Sequence, residues 1–120
     1  VARGVLTGKY RHSMPIDSRG ANVDTAAWVQ VYLDERGRRI VDALATAAEG
    51  LGASPTEVAL AWLRDRPGVV APILGARTNN QLIAALASEE LELPEEILIA
   101  LDDVSAPAMG YPESGWAQRR

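Results

Sequence analysis

The run Val69-Val70-Ala71-Pro72-Ile73-Leu74 constrains this chain more than any other feature, because it is the one stretch that reads convincingly as a β-strand. It is short, apolar and rich in β-branched residues, with Pro67-Gly68 before it and Gly75 after it. A strand by itself leaves its backbone N–H and C=O groups without partners, so a buried one demands neighbouring strands. No second run of this kind is visible. Pro72 narrows the choice further, since proline cannot donate to a ladder and is confined to edges, ends and bulges. Two architectures remain open: a small all-helical domain with an extended connector, or part of a larger sheet.

The surroundings read as helices. From Arg36 to Leu51, the residues Ile40, Val41, Leu44, Ala47, Ala48 and Leu51 recur at helical spacing and form one apolar stripe, which Gly50 and Gly52 end. Ser54-Pro55-Thr56-Glu57 combines an N-cap, a first-turn proline and a glutamate that can bond back to the cap, opening a second helix through Arg64. Thr78 and Gln81 repeat the capping pattern for a third helix through Ala87, and Pro94-Glu95-Glu96 opens a fourth with Ile97, Leu98 and Leu101 on its apolar side. Residues 1–35 have no sustained period and read as a long loop with short helical turns; residues 105–120, with Pro107, Gly110, Pro112 and Gly115, read as an irregular tail.

Composition excludes several functions. A net charge of -4 is the wrong sign for a protein that would neutralise nucleic-acid phosphates. Zero cysteines and one histidine remove disulfide frameworks, thiolate chemistry and His-rich metal sites. No apolar run reaches the roughly 20 residues that span a bilayer, and the start lacks a signal-peptide pattern. The expectation is a folded cytoplasmic protein without nucleic-acid or membrane partners. Val1 in place of Met leaves three options: a fragment, a processed product or an alternative start.

Chemistry concentrates after the strand. Gly75-Ala76-Arg77 followed by a helix capped at Thr78 supplies backbone access, a guanidinium and a helix N-terminus, the elements of an anion site. The same residues are compatible with a solvated surface arginine before an ordinary cap. The order is similar to the phosphate site that TIM barrels build after strands 7 and 8.

Three ordered motifs carry a family resemblance. Ala2-Arg3-Gly4-Val5-Leu6-Thr7-Gly8-Lys9-Tyr10 resembles the P-L-A-x-G-x-L-T-G-K-Y segment of aldo/keto reductases, with Val1 in place of its leucine. Ser54-Pro55 through Ala59-Leu60-Ala61-Trp62-Leu63 resembles the family's S-P-x-x-V-A-L-A-W-L helix, and Pro72 through Thr78 with Gln81-Leu82 resembles its eighth strand and 2′-phosphate loop. The resemblance covers nearly the whole chain and corresponds to about the last third of a family member. It implies an α/β fold, the C-terminal portion of a (β/α)8 TIM barrel, mostly helical with one clear strand here. Residues 1–35 become the cofactor-covering loop, 36–104 the last helices and eighth strand, and 105–120 the tail.

Carried over, the resemblance implies NADP as cofactor and a small carbonyl as substrate. Val1, Ala2, Arg3 and Gly4 would lie along the pyrophosphate with Lys9 nearby, and Arg19 would close over the phosphates. Gly75 and Arg77 would hold the 2′-phosphate, Gln81 would reach the adenosine end, and the guanidinium favours NADP over NAD. The family's acid and asparagine for adenine are replaced by Ala84 and Ala85. The catalytic tyrosine, lysine, aspartate and histidine belong to earlier barrel strands, and Tyr10, Tyr32 and Tyr111 match none of them. His12 reads as an ordinary loop side chain, Asp102-Asp103 as a solvent-facing helix end and Trp62 as core, while Trp28 and Trp116 receive no role.

Three functions follow as expectations. The first is the C-terminal part of an NADP-dependent reductase, inactive alone; the second a non-catalytic cofactor- or protein-binding module; the third a helical structural domain. Without covering strands the isolated chain is expected to be marginal, molten or self-associated through exposed apolar surface.

Overall fold

The computed structural model describes residues 1–110 and is helical throughout its regular parts. Helices α1 (Ala26–Gln30), α2 (Glu35–Leu51), α3 (Pro55–Arg64), α4 (Asn79–Leu86) and α5 (Glu95–Ser105) follow in order, with 3₁₀ turns at Ala2–Thr7 and Ala87–Glu89. None of the described helices is long and apolar enough to cross a membrane. Tyr111, Pro112, Gly115 and Trp116 lie outside the described residues.

Local chemistry sets the helix ends. The Asp34 carboxylate accepts from the Gly37 N–H at 2.7 Å and caps α2, one residue earlier than apolar periodicity alone indicates. At its other end Gly52 adopts φ 63, and the N–H groups of Gly52 and Ala53 donate to Glu49 and Ala48, a left-handed closure suited to glycine. Helix α3 opens with the reciprocal pair that the sequence suggests: Glu57 N–H donates to Ser54 Oγ at 3.2 Å, and Ser54 N–H to Glu57 Oε2 at 2.7 Å.

Packing then follows the stripes. Leu44, Ala47 and Ala48 of α2 meet Val58 and Ala59 of α3 and Leu101 of α5 in one buried cluster, with Trp62 half-buried against it. A smaller cluster of Val5, Val29 and Val41 seats the N-terminal segment and α1 on the other end of α2. Two arginines tie the helices to distant carbonyls. Arg36 donates to Ser105 O and Ala106 O at 2.9 and 3.0 Å, bringing positive charge to the C-terminus of α5, which has no basic residue of its own. Arg64 donates to Ser88 O, Glu89 O and Leu91 O while paired with Asp65, whose hydrogen bond raises the guanidinium's pKa.

Two expectations are corrected. Residues 69–76 form no strand, and no strand is present among the described residues. Val70 and Ile73 are 102% and 101% exposed. The reason is the one that made the run constraining: a ladder is closed by another strand's carbonyls and amides, and the described chain supplies none. Asp102, in turn, does not simply face solvent. It accepts from Trp62 Nε1 and from an Arg66 Nη, each at 2.7 Å, and Arg66 lies over the Trp62 ring at 4.5 Å. These partners are 36 to 40 residues away, beyond the reach of a local pattern.

Candidate functional site

A groove of about 540 Å³ opens where the N-terminal segment faces the stretch leading into α4. Its wall is drawn from residues 1–9, 17–25, 56–63 and 72–85. The volume lies within the range typical of ligand clefts, about 300–1,000 Å³. Four cations line it, Arg3, Lys9, Arg19 and Arg77.

Backbone geometry shapes the N-terminal wall. Ala2 and Arg3 hold positive φ values of 46 and 58 and Gly4 one of 93, so non-glycine residues here occupy a region that costs about 1–2 kcal/mol each. Strain of this sort concentrates at functional sites. A Cβ at Gly4 would lie 3.0 Å from Lys9 Cε, the movable end of a flexible side chain, so it is the positive φ that favours glycine there. Lys9 Nζ rests 5.0 Å from the centre of the Tyr10 ring. The Tyr10 hydroxyl accepts from Gly20 N–H at 3.2 Å and so fastens the loop. Burial pushes the Tyr10 phenol up, but its Ser18 and Gly20 hydrogen-bond partners and the Lys9 charge more than offset this, leaving its pKa below the ordinary value. Thr25 Oγ1 donates to Arg19 O at 2.7 Å, and buried Ser18 accepts from Ala21 N–H at 3.3 Å, completing the turn that carries Arg19.

Across the groove, Thr78 Oγ1 accepts from Gln81 N–H at 3.3 Å and caps α4. The Gln81 side chain does not return to the Thr78 amide as a capping box would; its Oε1 accepts from Arg77 N–H at 2.9 Å. That bond fixes the backbone just before the helix and leaves the Arg77 side chain 69% exposed. A Cβ at Gly75 would meet nothing within 4 Å, so this wall is open to a ligand.

Of the residues singled out from sequence, Val1, Arg3, Gly4, Lys9, Arg19, Gly75, Arg77 and Gln81 all line this groove. Ala2 does not; it packs beside the Val5, Val29 and Val41 cluster. Arg3 also departs from a simple phosphate ligand, because its Nη1 donates to Trp28 O at 2.9 Å and its guanidinium lies over the Trp28 and Tyr32 rings at 5.2 and 5.9 Å. Sequence reasoning missed Asp17, Asn22, Thr25 and Thr56 on the wall. Asp17 is the most consequential, with its Oδ2 4.0 Å from Arg77 Nη2. Nothing in local spacing marks a carboxylate whose cation lies 60 positions away. His12 is exposed, and none of the hydrogen bonds among the described residues involves its side chain.

The groove thus sets four cations and one carboxylate beside a capped helix N-terminus, gathered by a helical framework. Comparison with known proteins then gives the family. A model described as the aldo/keto reductase family matches residues 1–106. The chain is 37% identical over 114 residues to a protein of Oryza sativa subsp. japonica named "Probable voltage-gated potassium channel subunit beta", covering 94% of this chain and 34% of that one. It is 33% identical over 115 residues to "Uncharacterized oxidoreductase YrpG" of Bacillus subtilis (strain 168), covering 95% and 33%. It is 34% identical over 101 residues to "Protein tas" of Escherichia coli (strain K12), covering 84% and 29%. The chain belongs to the aldo/keto reductase family, whose fold is a (β/α)8 barrel and whose members generally use nicotinamide cofactors. It spans about a third of the length of the curated relatives it matches.

Proposed function

We propose that this chain supplies the cofactor-holding side of an NADP-dependent aldo/keto reductase, and that as these 120 residues it binds the dinucleotide without reducing a carbonyl. The observation that carries the reading is the single groove lined by Lys9, Arg19, Gly75, Arg77 and Gln81 from segments far apart in sequence. Those residues fit a dinucleotide phosphate: the Arg77 fork suits a 2′-phosphate, the first turn of α4 offers N–H groups, and Lys9 and Arg19 bring charge to a pyrophosphate. Gly4 and Gly75 let the ligand approach the backbone.

When bound, a reduced nicotinamide supplies a hydride to a carbonyl carbon. The residues here bind and orient; the family resemblance assigns the general acid and its supporting lysine, aspartate and histidine to barrel segments other than those this chain matches. Turnover therefore requires those segments. With Ala84 and Ala85 where the family resemblance places polar residues for adenine, this chain would lack those hydrogen bonds.

Titration of the chain with NADPH, followed by nicotinamide or tryptophan fluorescence, tests the reading. Saturable binding is expected. Arg77→Ala should weaken it about 10- to 100-fold, the loss expected for a charge-assisted hydrogen bond. No saturation, or equal affinity in Arg77→Ala, would overturn it.

A further inference from the structure

The groove's cations share their wall with one acid. Among the described residues that line it, Asp17 is the sole carboxylate, and it points at the cation expected to read the cofactor's ribose substituent. Both side chains of the pair are exposed, Arg77 by 69% and Asp17 by 87%, so the two can separate freely. A 2′-phosphate at Arg77 would bring a dianion against the Asp17 carboxylate. A ribose 2′-hydroxyl would do the opposite, since it is a donor and a carboxylate is an acceptor only. Acid for the hydroxyl and arginine for the phosphate are the two alternative solutions by which proteins tell NAD from NADP. This site holds both within 4.0 Å.

We infer that Asp17 is a specificity-determining residue that narrows the preference for NADP and lets the same groove accept NAD; the inference rests on the cofactor reading above. With NADP, the phosphate displaces Asp17 from Arg77 and meets its repulsion. With NAD, the Arg77–Asp17 pair persists and Asp17 accepts from the ribose hydroxyl. Two unit charges about 4 Å apart in water interact strongly enough to change an equilibrium about fivefold, and a dianion raises that toward tenfold or more at low salt.

Affinities of the chain for NADPH and NADH, measured by nicotinamide fluorescence at low and high salt, provide the test. The unmodified protein should bind both. Asp17→Asn should tighten NADPH about five- to tenfold at low salt and weaken NADH, with the NADPH gain shrinking at high salt. Asp17→Glu should keep the original ratio. A ratio unchanged within about twofold in Asp17→Asn, or no NADH binding by the unmodified protein, overturns the role of Asp17 alone, provided NADPH binds and Arg77→Ala weakens it. If NADPH does not saturate, or is indifferent to Arg77→Ala, the cofactor reading fails and this inference with it.

Discussion

Single residues here act mainly through partners remote in sequence. Asp102 joins α5 to α3 by accepting from Trp62 and Arg66. The Arg66 and Trp62 hydrogen bonds hold its carboxyl below its ordinary value of 3.8, so the folded chain binds that proton less tightly than the unfolded chain does. Stability from this source is complete above pH 3.8 and fades as pH falls through the lowered folded value. Asp65, lowered by its hydrogen bond to Arg64, acts in the same acidic window. Asp102→Asn should therefore lower Tm at neutral pH, with the gap to the unmodified protein closing as thermal melts are repeated toward about pH 3. A gap independent of pH would refute the charge-based account. Such triads were invisible to sequence reading, which sees spacings of three and four along one helix and not a carboxylate met by another helix.

The elements were far more legible. The α2 and α3 stripes and the Ser54/Glu57 box are local patterns, and local patterns suffice for helices because every backbone bond closes within the segment. The run at 69–74 failed for the complementary reason: strand character is a property of a pair. Asp34, a plain N-cap, went unnoticed because no glutamine or glutamate follows it three residues on; Gly37 occupies that place. Gly37 also tolerates no side chain without a shift of the backbone, since a Cβ there would collide with the Tyr32 carbonyl. Gly37→Ala should cost about 1–3 kcal/mol, the usual penalty for forcing extra volume into a packed site, and urea denaturation would measure it. An unaltered midpoint would mean that the turn between Tyr32 and α2 gives way freely. The groove was legible only through family motifs at both walls; charge and spacing alone left Arg77 open to a bland reading.

The whole molecule combines a sound helical core with apolar surface that nothing described covers. Val70 and Ile73 are fully exposed, and Ile83 and Leu86 of α4 are also open to solvent. Such surface is a liability in a solitary chain. We expect concentration-dependent self-association in sedimentation velocity, reduced when Val70→Lys and Ile73→Lys are combined. A monomer at all concentrations with one sharp unfolding transition would contradict this. The Arg64 clasp bears on the same surface. Exposed, irregular segments are where proteases cut, and residues 69–76 form such a segment between α3 and α4. Arg64 lies before it and the carbonyls of Ser88, Glu89 and Leu91 lie after it. A nick there would sever the polypeptide, yet the Arg64 clasp, the Asp102 bonds to Trp62 and Arg66 and Leu101 buried against α2 and α3 all join the two halves, so the cleaved protein should travel as an undivided particle until denatured.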